Sequence, residues 1–469
     1  MNLEKRKDVL DSNETGEWKI KLNGEGQKKF TLKTTPAQTL VIGFAAVIMI
    51  GAILLTLPAA VRPGESVNFL TSLFTATSAV CVTGLVVVDT GTHWTTFGHI
   101  IILALIQVGG LGFMTMATFL YLLLGRRIGL KQRLIIQESL NYTSLAGIVR
   151  LAKYVLFFTF ITEIFFAAIL SIRWSYDMGW QKGLWFGLFH AVSAFNNAGF
   201  DLFGEFRSLT AYAGDATVTL CITTLIILGG IGFSVIVDIV RRLKESRHLA
   251  LHTKLVLSVS GLLILFGTIF IYFLEYDNTL RGLSPLGKVL ASYFQAVSPR
   301  TAGYNTLDIG ALHAATQFLI VILMFIGASP GSTGGGIKTT TFGALAISVW
   351  CMIRGKEDTE ILRRRIGKDQ VYKSLAILLM ATGLVTTVTL LLSITEKADF
   401  LAILFETTSA FGTVGLTMGI TPDLTAFGRI LIIITMFLGR LGPLTLAFAL
   451  TTAKRKTRLR YPEEKIMVG

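Results

Sequence analysis

The segment Ser78-Ala-Val-Cys-Val-Thr-Gly84-Leu has three counterparts further along the chain. They are Ser193-Ala-Phe-Asn-Asn-Ala-Gly199-Phe, Ala296-Val-Ser-Pro-Arg-Thr-Ala-Gly303-Tyr and Ser409-Ala-Phe-Gly-Thr-Val-Gly415-Leu. The glycines near their ends are 115, 104 and 112 residues apart. Because self-similarity at a regular spacing is typical of internal repeats, the chain is predicted to use one structural unit four times.

The flanks of the four segments are also alike. A short apolar stretch precedes each glycine, over about 67–80, 183–195, 287–297 and 398–410. Longer apolar stretches precede these, over about 37–60, 147–172, 255–275 and 372–394, and others follow the glycines, over about 97–125, 215–241, 313–353 and 424–453. The long stretches exceed the roughly 20 residues with which a helix crosses a bilayer. The short ones do not, so they favour re-entrant helices.

A second glycine recurs in each long stretch that follows a loop, 24 to 30 residues after the first. These positions are Gly109-Gly110, Gly229-Gly230, Gly327 and Gly439. One unit is therefore predicted to consist of a long helix, a short helix, a glycine loop and a second long helix.

The composition is that of a membrane protein. Of 469 residues, 52% are hydrophobic and 15% are charged, against about 25% charged residues in ordinary soluble domains. This excludes a disordered chain, a disulfide-stabilised secreted domain and an ordinary cytosolic enzyme. We predict a multi-pass protein of the cell membrane.

The net charge of +14 is concentrated in basic stretches. The five stretches are Lys5 to Lys33, 126–133, 241–254, 354–373 and the tail from Lys454. Because cytoplasmic loops carry the excess of lysine and arginine, all five stretches and both termini are predicted to be cytoplasmic. The short helices and glycine loops then lie on the outer side. Nucleic-acid binding is not expected, because the sequence offers no basic face with aromatic platforms.

These observations predict an all-α fold with eight transmembrane helices and four re-entrant pore helices. The repeats are assigned to residues 35–133, 134–250, 251–368 and 369–453, between cytosolic tails 1–34 and 454–469. Irregular backbone is tolerated at membrane depth only where protein buries it or a water-filled cavity lies beside it. Four such loops meet that condition together around one central pore with pseudo-fourfold symmetry.

The loops suit a monovalent cation. Their carbonyl oxygens can replace the hydration shell of such an ion, and glycine lets the main chain come close to it. Anions would need basic side chains or helix N-termini, and divalent cations would need a ring of carboxylates. Neither occurs at the four glycines. The alternative is that these glycines only permit close helix packing, as small residues do in membranes.

The four loops and the run Gly331-Ser-Thr-Gly-Gly-Gly-Ile-Lys338-Thr resemble the Trk/Ktr/HKT potassium transporters. The resemblance covers roughly residues 35 to 455, and the length and short tails are most similar to the membrane subunits of bacterial Ktr systems. It implies a K⁺ selectivity filter, with K⁺ bound at the four glycines. The filter residues are Val82, Thr83, Gly84, Asn197, Ala198, Gly199, Thr301, Ala302, Gly303, Thr413, Val414 and Gly415. Glycine in all four loops implies a preference for K⁺ over Na⁺.

The resemblance also implies partners. We expect a homodimer with one pore per subunit, seated on a cytosolic octameric ring of nucleotide-binding KtrA-type subunits. ATP or ADP is expected on that ring, and no cofactor is expected in this chain. K⁺ uptake would be driven by the membrane potential, and in many members Na⁺ promotes it.

The second long helix of the third repeat is interrupted by residues 328–339. Proline and clustered glycines do not sustain a helix, so a flexible loop inside the membrane is predicted. We expect this loop to lie beneath the filter as a movable gate, formed by Gly331, Ser332, Thr333, Gly334, Gly335, Gly336 and Lys338. It is not a phosphate-binding loop, because Ile337 separates the last glycine from Lys338 and no strand precedes it.

Arg440 is assigned to the same gate. It lies 14 residues before Lys454, about 21 Å along a helix from the cytoplasmic cluster, which is beyond the reach of its side chain. An arginine at that depth should face the protein interior. We therefore expect it to bond the gate-loop carbonyls and to form a positive barrier to cations. The alternative role is to brace the helices.

Other residues leave alternatives open. Glu163, Glu275 and Glu406 are isolated acids near the predicted spans, and Glu406 is the best candidate for shaping the outer field on cations. No set of nucleophile, base and acid is apparent, so no enzymatic activity is expected. The alternative function is an alternating-access cation symporter, a class that often has inverted repeats and broken helices. The shared orientation of the four repeats favours a pore, although the broken helix of the third repeat is compatible with a symporter.

Overall fold

The computed structural model describes residues 35–65, 68–112, 148–245 and 248–442, with the isolated residues 115, 116, 133–135, 137, 462, 464 and 467. The predicted tail 1–34, most of the basic stretch 126–133 and nearly all of the tail 454–469 lie outside these residues. The distal parts of the second long helices expected over 97–125 and 424–453 also lie outside them. What the sequence predicts for these segments stays a prediction.

The described chain is mostly helical, and its helices follow the order predicted from the repeats. The first repeat contains α1 (Pro36–Leu55), α2 (Phe69–Val80), the short α3 (Thr90–His93) and α4 (Thr96–Leu111). The second contains α5 (Ile148–Met178), α6 (Trp180–Phe195), α7 (Ala216–Gly230) and α8 (Phe233–Glu245). The third contains α9 (Leu251–Glu275), α10 (Pro285–Val297), α11 (Ala314–Phe325) and α12 (Thr339–Ile353). The fourth contains α13 (Lys368–Thr395), α14 (Phe400–Gly412) and α15 (Ala426–Leu441).

One antiparallel hairpin departs from the all-α prediction. Its strands, β1 (Thr359–Ile361) and β2 (Arg364–Ile366), lie in the basic stretch between the third and fourth repeats. Leu362 and Arg363 between them have φ of 49° and 60°, as tight two-residue hairpin turns require. The hairpin is the only sheet in the described part of the chain, so helix packing determines the fold there.

The first helix of each repeat is long and apolar enough to cross a membrane. These helices are α1, α5, α9 and α13, and among the described residues no other unbroken helix passes that test. They expose large apolar side chains, such as Phe157 on α5 and Phe273 on α9. Extended apolar surface of this kind suits contact with lipid. The four first helices predicted from the sequence are therefore present.

The second helix of every repeat is broken, whereas the sequence predicted a break only in the third. α4 ends at Leu111, α15 ends at Leu441, and α8 follows α7 after two residues at an angle of 97°. Each of these breaks contains a glycine with positive φ, at 79° for Gly112, 96° for Gly232 and 82° for Gly442. Glycine in that conformation ends a helix. The prediction of unbroken second helices in repeats one, two and four is therefore wrong.

The helices close into a ring. The second helix of each repeat packs against the short helix of the next, with α4 against α6, α7 against α10, α11 against α14, and α15 back against α2. Each first helix packs against the short helix of its own repeat. This cyclic order arranges the four short helices around one axis, with their glycine loops at its centre.

The recurring second glycines are points of close backbone contact. A Cβ atom added at Gly109 would overlap the carbonyl oxygen of Val80 at the end of α2. Added at Gly229 or Gly439, it would overlap carbonyl oxygens near the ends of α6 and α14. Only glycine lets the second helices approach the short helices so closely, as small residues do between membrane helices. Close packing therefore accounts for this second set of glycines.

We expect Gly109→Ala to destabilise the protein, because the new methyl group forces α4 away from α2. Overpacking of this kind costs about 1–3 kcal/mol. The melting temperature of the purified protein in detergent should fall by several degrees. Gly383→Ala on α13 is the matched control, because nothing lies within 4 Å of its Cβ position. Equal melting temperatures for the two variants would contradict this account of the packing.

Candidate functional site

The four glycine loops share one backbone conformation. Their glycines have positive φ, between 70° and 95°, at Gly84, Gly199, Gly303 and Gly415. The residues two places earlier also have positive φ, between 49° and 73°, at Val82, Asn197, Thr301 and Thr413. The residue between each pair, Thr83, Ala198, Ala302 or Val414, does not. This alternation turns successive carbonyl groups toward one side of the loop, as backbone coordination of an ion requires.

Serine residues of the short helices hold these loops in place. The main-chain carbonyl of Ser78 accepts the N–H of the residue before the glycine at 2.8 Å, and its hydroxyl accepts the glycine N–H at 3.0 Å. Ser409 makes the same two bonds in the fourth loop, at 2.9 Å and 3.0 Å. Ser193 and Ser298 accept the equivalent main-chain N–H, and their hydroxyls donate to carbonyls beyond the glycine. The N–H groups are therefore occupied by the loop's own repeat.

The four glycines are neighbours around the axis. A Cβ added at Gly84 would lie 2.6 Å from the carbonyl oxygen of Ala198, and one added at Gly199 would lie 2.7 Å from that of Ala302. The third and fourth glycines continue this circuit, toward the carbonyl oxygens of Val414 and Thr83. Each glycine therefore lies beside the carbonyl that precedes the next glycine. We call this arrangement the glycine circle, and a side chain at any of its four glycines would collide with it.

A cavity of about 270 Å³ opens on one side of the glycine circle and is lined by all four glycines. Three carboxylates also line it, those of Asp89, Asp201 and Asp308. The carboxylate of Asp89 is fixed by the backbone N–H groups of Thr92 and Phe206, at 2.8 Å and 2.7 Å. Clefts lined by one sign of charge raise the local concentration of the opposite ion. This cavity therefore attracts cations toward the circle.

Glu406, the acid expected from the sequence to shape the outer field on cations, is not among the residues that line this cavity. It is fully buried, and its carboxylate accepts hydrogen bonds from the hydroxyls of Thr417, at 2.7 Å, and Thr421, at 2.5 Å. Both threonines follow Gly415 in the fourth loop. The carboxylate therefore positions that loop, and the aspartates are the acids that face the cavity.

The other two isolated acids also support loops. Glu163 on α5 accepts hydrogen bonds from the carboxamides of Asn196, at 3.0 Å, and Gln107, at 3.2 Å, beside the second glycine loop. Glu275 at the end of α9 accepts them from a backbone N–H and a threonine hydroxyl at the start of α11. Both carboxylates act as hydrogen-bond acceptors between elements of the ring.

The segment 326–338 between α11 and α12, called the gate loop below, lies against the other side of the glycine circle. The main-chain N–H of Gly335 donates to the hydroxyl of Thr413 at 3.0 Å. A Cβ added at Gly334 would overlap the hydroxyl of Thr301. Both threonines precede their glycines, whereas the cavity is lined by the glycines and residues that follow them. The gate loop therefore covers the circle on the side away from the cavity.

The gate loop also bonds both parts of the broken helix in repeat two. The N–H of Thr333 donates to the carbonyl of Gly229 at 3.1 Å, and that of Ser329 donates to the carbonyl of Gly230 at 3.0 Å. These carbonyls belong to the last turn of α7, where a helix leaves its carbonyls without partners. The carbonyl of Gly331 in turn accepts the first N–H of α8 at 2.9 Å. The loop of repeat three therefore stabilises the break in repeat two.

Arg440, near the end of α15, connects the gate loop to the first repeat. Its guanidinium donates to the carbonyl of Thr333 in the gate loop. It also donates to the carbonyls of Gly109 and Gly110 in the last turn of α4, the second at 3.1 Å. The bond to the gate loop is the one expected from the sequence. The bonds to α4 were not expected, because the carbonyls of Gly109 and Gly110 lack helix partners only if α4 ends at Leu111.

Lys338 turns back onto the gate loop from the start of α12. Its ammonium group donates to the carbonyl of Gly334 at 2.7 Å, and its side chain is half-buried. Lys338 and Arg440 therefore place two cationic groups on the gate side of the glycine circle. The three aspartates lie on the cavity side, so the two sides carry opposite charge.

The serines and aspartates of this site were missed by the reasoning from the sequence. The serines had a visible signal, since three of the four quoted segments begin with serine six residues before the glycine. The aspartates were harder to find from the sequence, because Asp89, Asp201 and Asp308 do not follow their glycines at one constant spacing. The separations are five, two and five residues.

Comparison with known proteins gives consistent matches. Residues 22–457 match the family model TrkH, described as cation transport protein. The chain is 47% identical over 440 residues to the Ktr system potassium uptake protein B of Bacillus subtilis, which covers 93% of this chain and 98% of that protein. It is 40% identical over 452 residues to the potassium/sodium uptake protein NtpJ of Enterococcus hirae, covering 94% and 99%. The crystal structure of the potassium transporter TrkH from Vibrio parahaemolyticus is similar in fold, with a TM-score of 0.67, 18% identity and coverage of 88% and 85%.

Proposed function

The chain belongs to the TrkH family of cation transport proteins, and we propose that it is the K⁺-selective, ion-translocating subunit of a potassium uptake system. Relatives named for potassium uptake span almost the whole chain, which supports this substrate. The family and these relatives are transporters rather than enzymes. The observation that carries the proposal is the glycine circle.

The glycine circle can take the place of the hydration shell of K⁺. Main-chain carbonyls from all four loops lie around one axis, and their glycines leave no side chain between them. Rings of such carbonyls coordinate K⁺ in channels. The serine bonds hold each loop in place, so the oxygens are positioned before the ion arrives. The twelve loop residues assigned to the filter from the sequence are the residues of this proposal.

Electrostatics favour the entry of cations from the cavity side. The aspartates lie along that side and raise the local cation concentration. The four short helices end next to the loops, and a helix C-terminus carries up to about half a negative charge. Both effects lower the energy of a cation at the glycine circle.

The gate loop, Arg440 and Lys338 form the gate in this proposal. The loop covers the glycine circle on the side away from the cavity, and its bonds to α7 and to Arg440, which also bonds α4, hold it there. We propose that these hydrogen bonds must break for the loop to move to an open position. A ligand or partner that binds the open position more tightly therefore shifts the equilibrium toward it.

The proposed membrane arrangement has eight spans and four re-entrant pore helices. α1, α5, α9 and α13 are long and apolar enough to be single spans, and the bent pair α7 and α8 is long and apolar enough to be a fifth. We assign one further span to the second helix of each of the other three repeats. The repeats keep the boundaries 35–133, 134–250, 251–368 and 369–453. The basic stretches lie in the cytoplasm with both termini, so the cavity with the aspartates opens outward.

The partners in this proposal follow from the relatives. Two of them are named as proteins of a Ktr system, which supports a partner subunit. We extend this to a homodimer on a cytosolic octameric ring of KtrA-type subunits that carry ATP or ADP. The relative named for potassium and sodium uptake supports a role for Na⁺. A single-subunit mass in light scattering would contradict the dimer.

An alternating-access symporter is less well supported. Such carriers place their substrate between inverted repeats, whereas the four repeats here form one cyclic arrangement. The broken second helices, which would suit a carrier, contact the gate loop and Arg440 instead of a separate substrate site.

The proposal is tested by growth at limiting K⁺ of cells that lack their own K⁺ uptake systems. The wild-type chain with its partner should restore growth and take up K⁺ in preference to Na⁺. In Gly84→Ser the new side chain enters the glycine circle, and the preference for K⁺ should fall by about tenfold or more, or about 1.4 kcal/mol.

Gly261→Ala on α9 is the matched control, because its Cβ position is open. It should retain both growth and preference. Unchanged ion preference in Gly84→Ser, with equal amounts in the membrane, would argue against the glycine circle as the filter.

We expect Arg440→Ala to raise the K⁺ flux. The substitution removes a positive charge from the gate side and releases the carbonyl of Thr333. Flux is measured as Rb⁺ uptake into vesicles that contain the purified protein. Arg429→Ala on the same helix is the control, because Arg429 bonds carbonyls at the outer end of α15. Lower flux with normal folding would show that Arg440 braces the helices instead.

The orientation is tested with single cysteines. A reagent that does not cross the membrane should label a cysteine in place of Glu205, and should label one in place of Glu357 only after the cells are opened. Both positions are exposed, and the three native cysteines are buried. The reverse pattern of labelling would show that the protein has the opposite orientation.

A further inference from the structure

A small, partly open cavity lies behind the third glycine loop, between α7, α9 and the end of α10. Its volume is about 30 Å³. Apolar side chains such as Ile227, Ile264 and Val297 form much of its wall, and two polar side chains face it, those of Arg300 and Ser260. Space of this size holds one small occupant, such as a water molecule or a monatomic ion.

Both polar side chains lack partners. Arg300 is 8% exposed, and its Nε has no hydrogen-bond partner among the described residues. Ser260 is equally buried, and its hydroxyl is also without a partner in that part of the chain. No described carboxylate is close enough to interact with Arg300. Buried polar groups in proteins are normally bonded, and buried charges are normally paired.

The charge of Arg300 makes its isolation costly. A guanidinium group stays protonated in proteins, so burial cannot be relieved by loss of a proton. The C-terminal end of α10 lies nearby and offers at most about half a negative charge. The remaining positive charge lies next to a loop whose proposed role is to bind a cation, where it would oppose that binding.

We propose that this cavity binds one monovalent anion of about the size of chloride, held by the guanidinium of Arg300 and the hydroxyl of Ser260. Arg300 has only hydrogen-bond donors, and the serine hydroxyl can act as a donor. An anion accepts from both and balances the buried charge of the guanidinium, which a water molecule cannot do. The anion also neutralises the arginine behind the third glycine loop.

The test uses the whole purified protein in detergent, with bromide as the probe. Its melting temperature should be several degrees higher in potassium bromide or potassium chloride than in potassium gluconate at the same concentration. Crystals grown in bromide should give an anomalous peak between Arg300 and Ser260. Neither readout depends on transport, so both remain valid if the proposed function is wrong.

Arg300→Met should abolish the stabilisation by bromide. Arg281→Met is the matched control, because Arg281 is exposed in an outer loop, and it should keep the full effect. Ser260→Ala keeps the space of the cavity and removes one donor, so the bromide concentration that gives half of the stabilisation should rise several-fold. This second variant gives a result even if Arg300→Met does not fold.

Two results would overturn the proposal. One is a wild-type melting temperature that is the same in bromide and gluconate, together with no anomalous peak in the cavity. The other is a bromide effect of equal size and half-saturating concentration in Ser260→Ala and in the exposed control Ser393→Ala.

Discussion

Main-chain carbonyl groups without a helix partner are the constraint on which the rest of the structure depends. In an apolar medium such groups must be bonded, or must face water or an ion. The glycine loops present carbonyls around one axis, while serines of the short helices bond their N–H groups. One layer away, the broken second helices present further carbonyls, and the gate loop and Arg440 bond them. In the proposed function, an ion at the glycine circle meets the same physical requirement that the gate loop and Arg440 meet for the broken helices.

The likeness of the four repeats ends at the gate loop and Arg440. Arg440 follows the close-contact glycine of repeat four, and the equivalent residues of the other repeats are Gly110, Gly230 and Ala328. Their small size leaves room for the gate loop, and a Cβ at Gly110 would already overlap the side chain of Asn196. One large cationic side chain and one long loop therefore fill the space beneath the glycine circle.

The expectations from the sequence succeeded where a local property decides the outcome. Apolar length predicted the four first helices, and the first set of repeated glycines predicted the loops. The second set was noticed as a repeat, but its close contacts at Gly109, Gly229 and Gly439 were not predicted. The expectations were wrong where a contact between residues far apart in the sequence decides the outcome. Gly112 and Gly442 are compatible with a continuous membrane helix, and α4 ends where Arg440, more than 300 residues away, bonds its last carbonyls. The hydrogen bonds from Thr417 and Thr421 to Glu406 could not be foreseen from the sequence either.

By itself the sequence determined the number of repeats, the order of long and short helices and the positions where only glycine is tolerated. These follow from hydrophobic length and from backbone angles, which each residue carries with it. Only the tertiary structure decided which carbonyls face one another, where the second helices end and which acids face the cavity. Each of these depends on contacts between groups from different repeats, such as Arg440 and Thr333, which are 107 residues apart in the sequence. The packing of the helices into a ring brings such groups together.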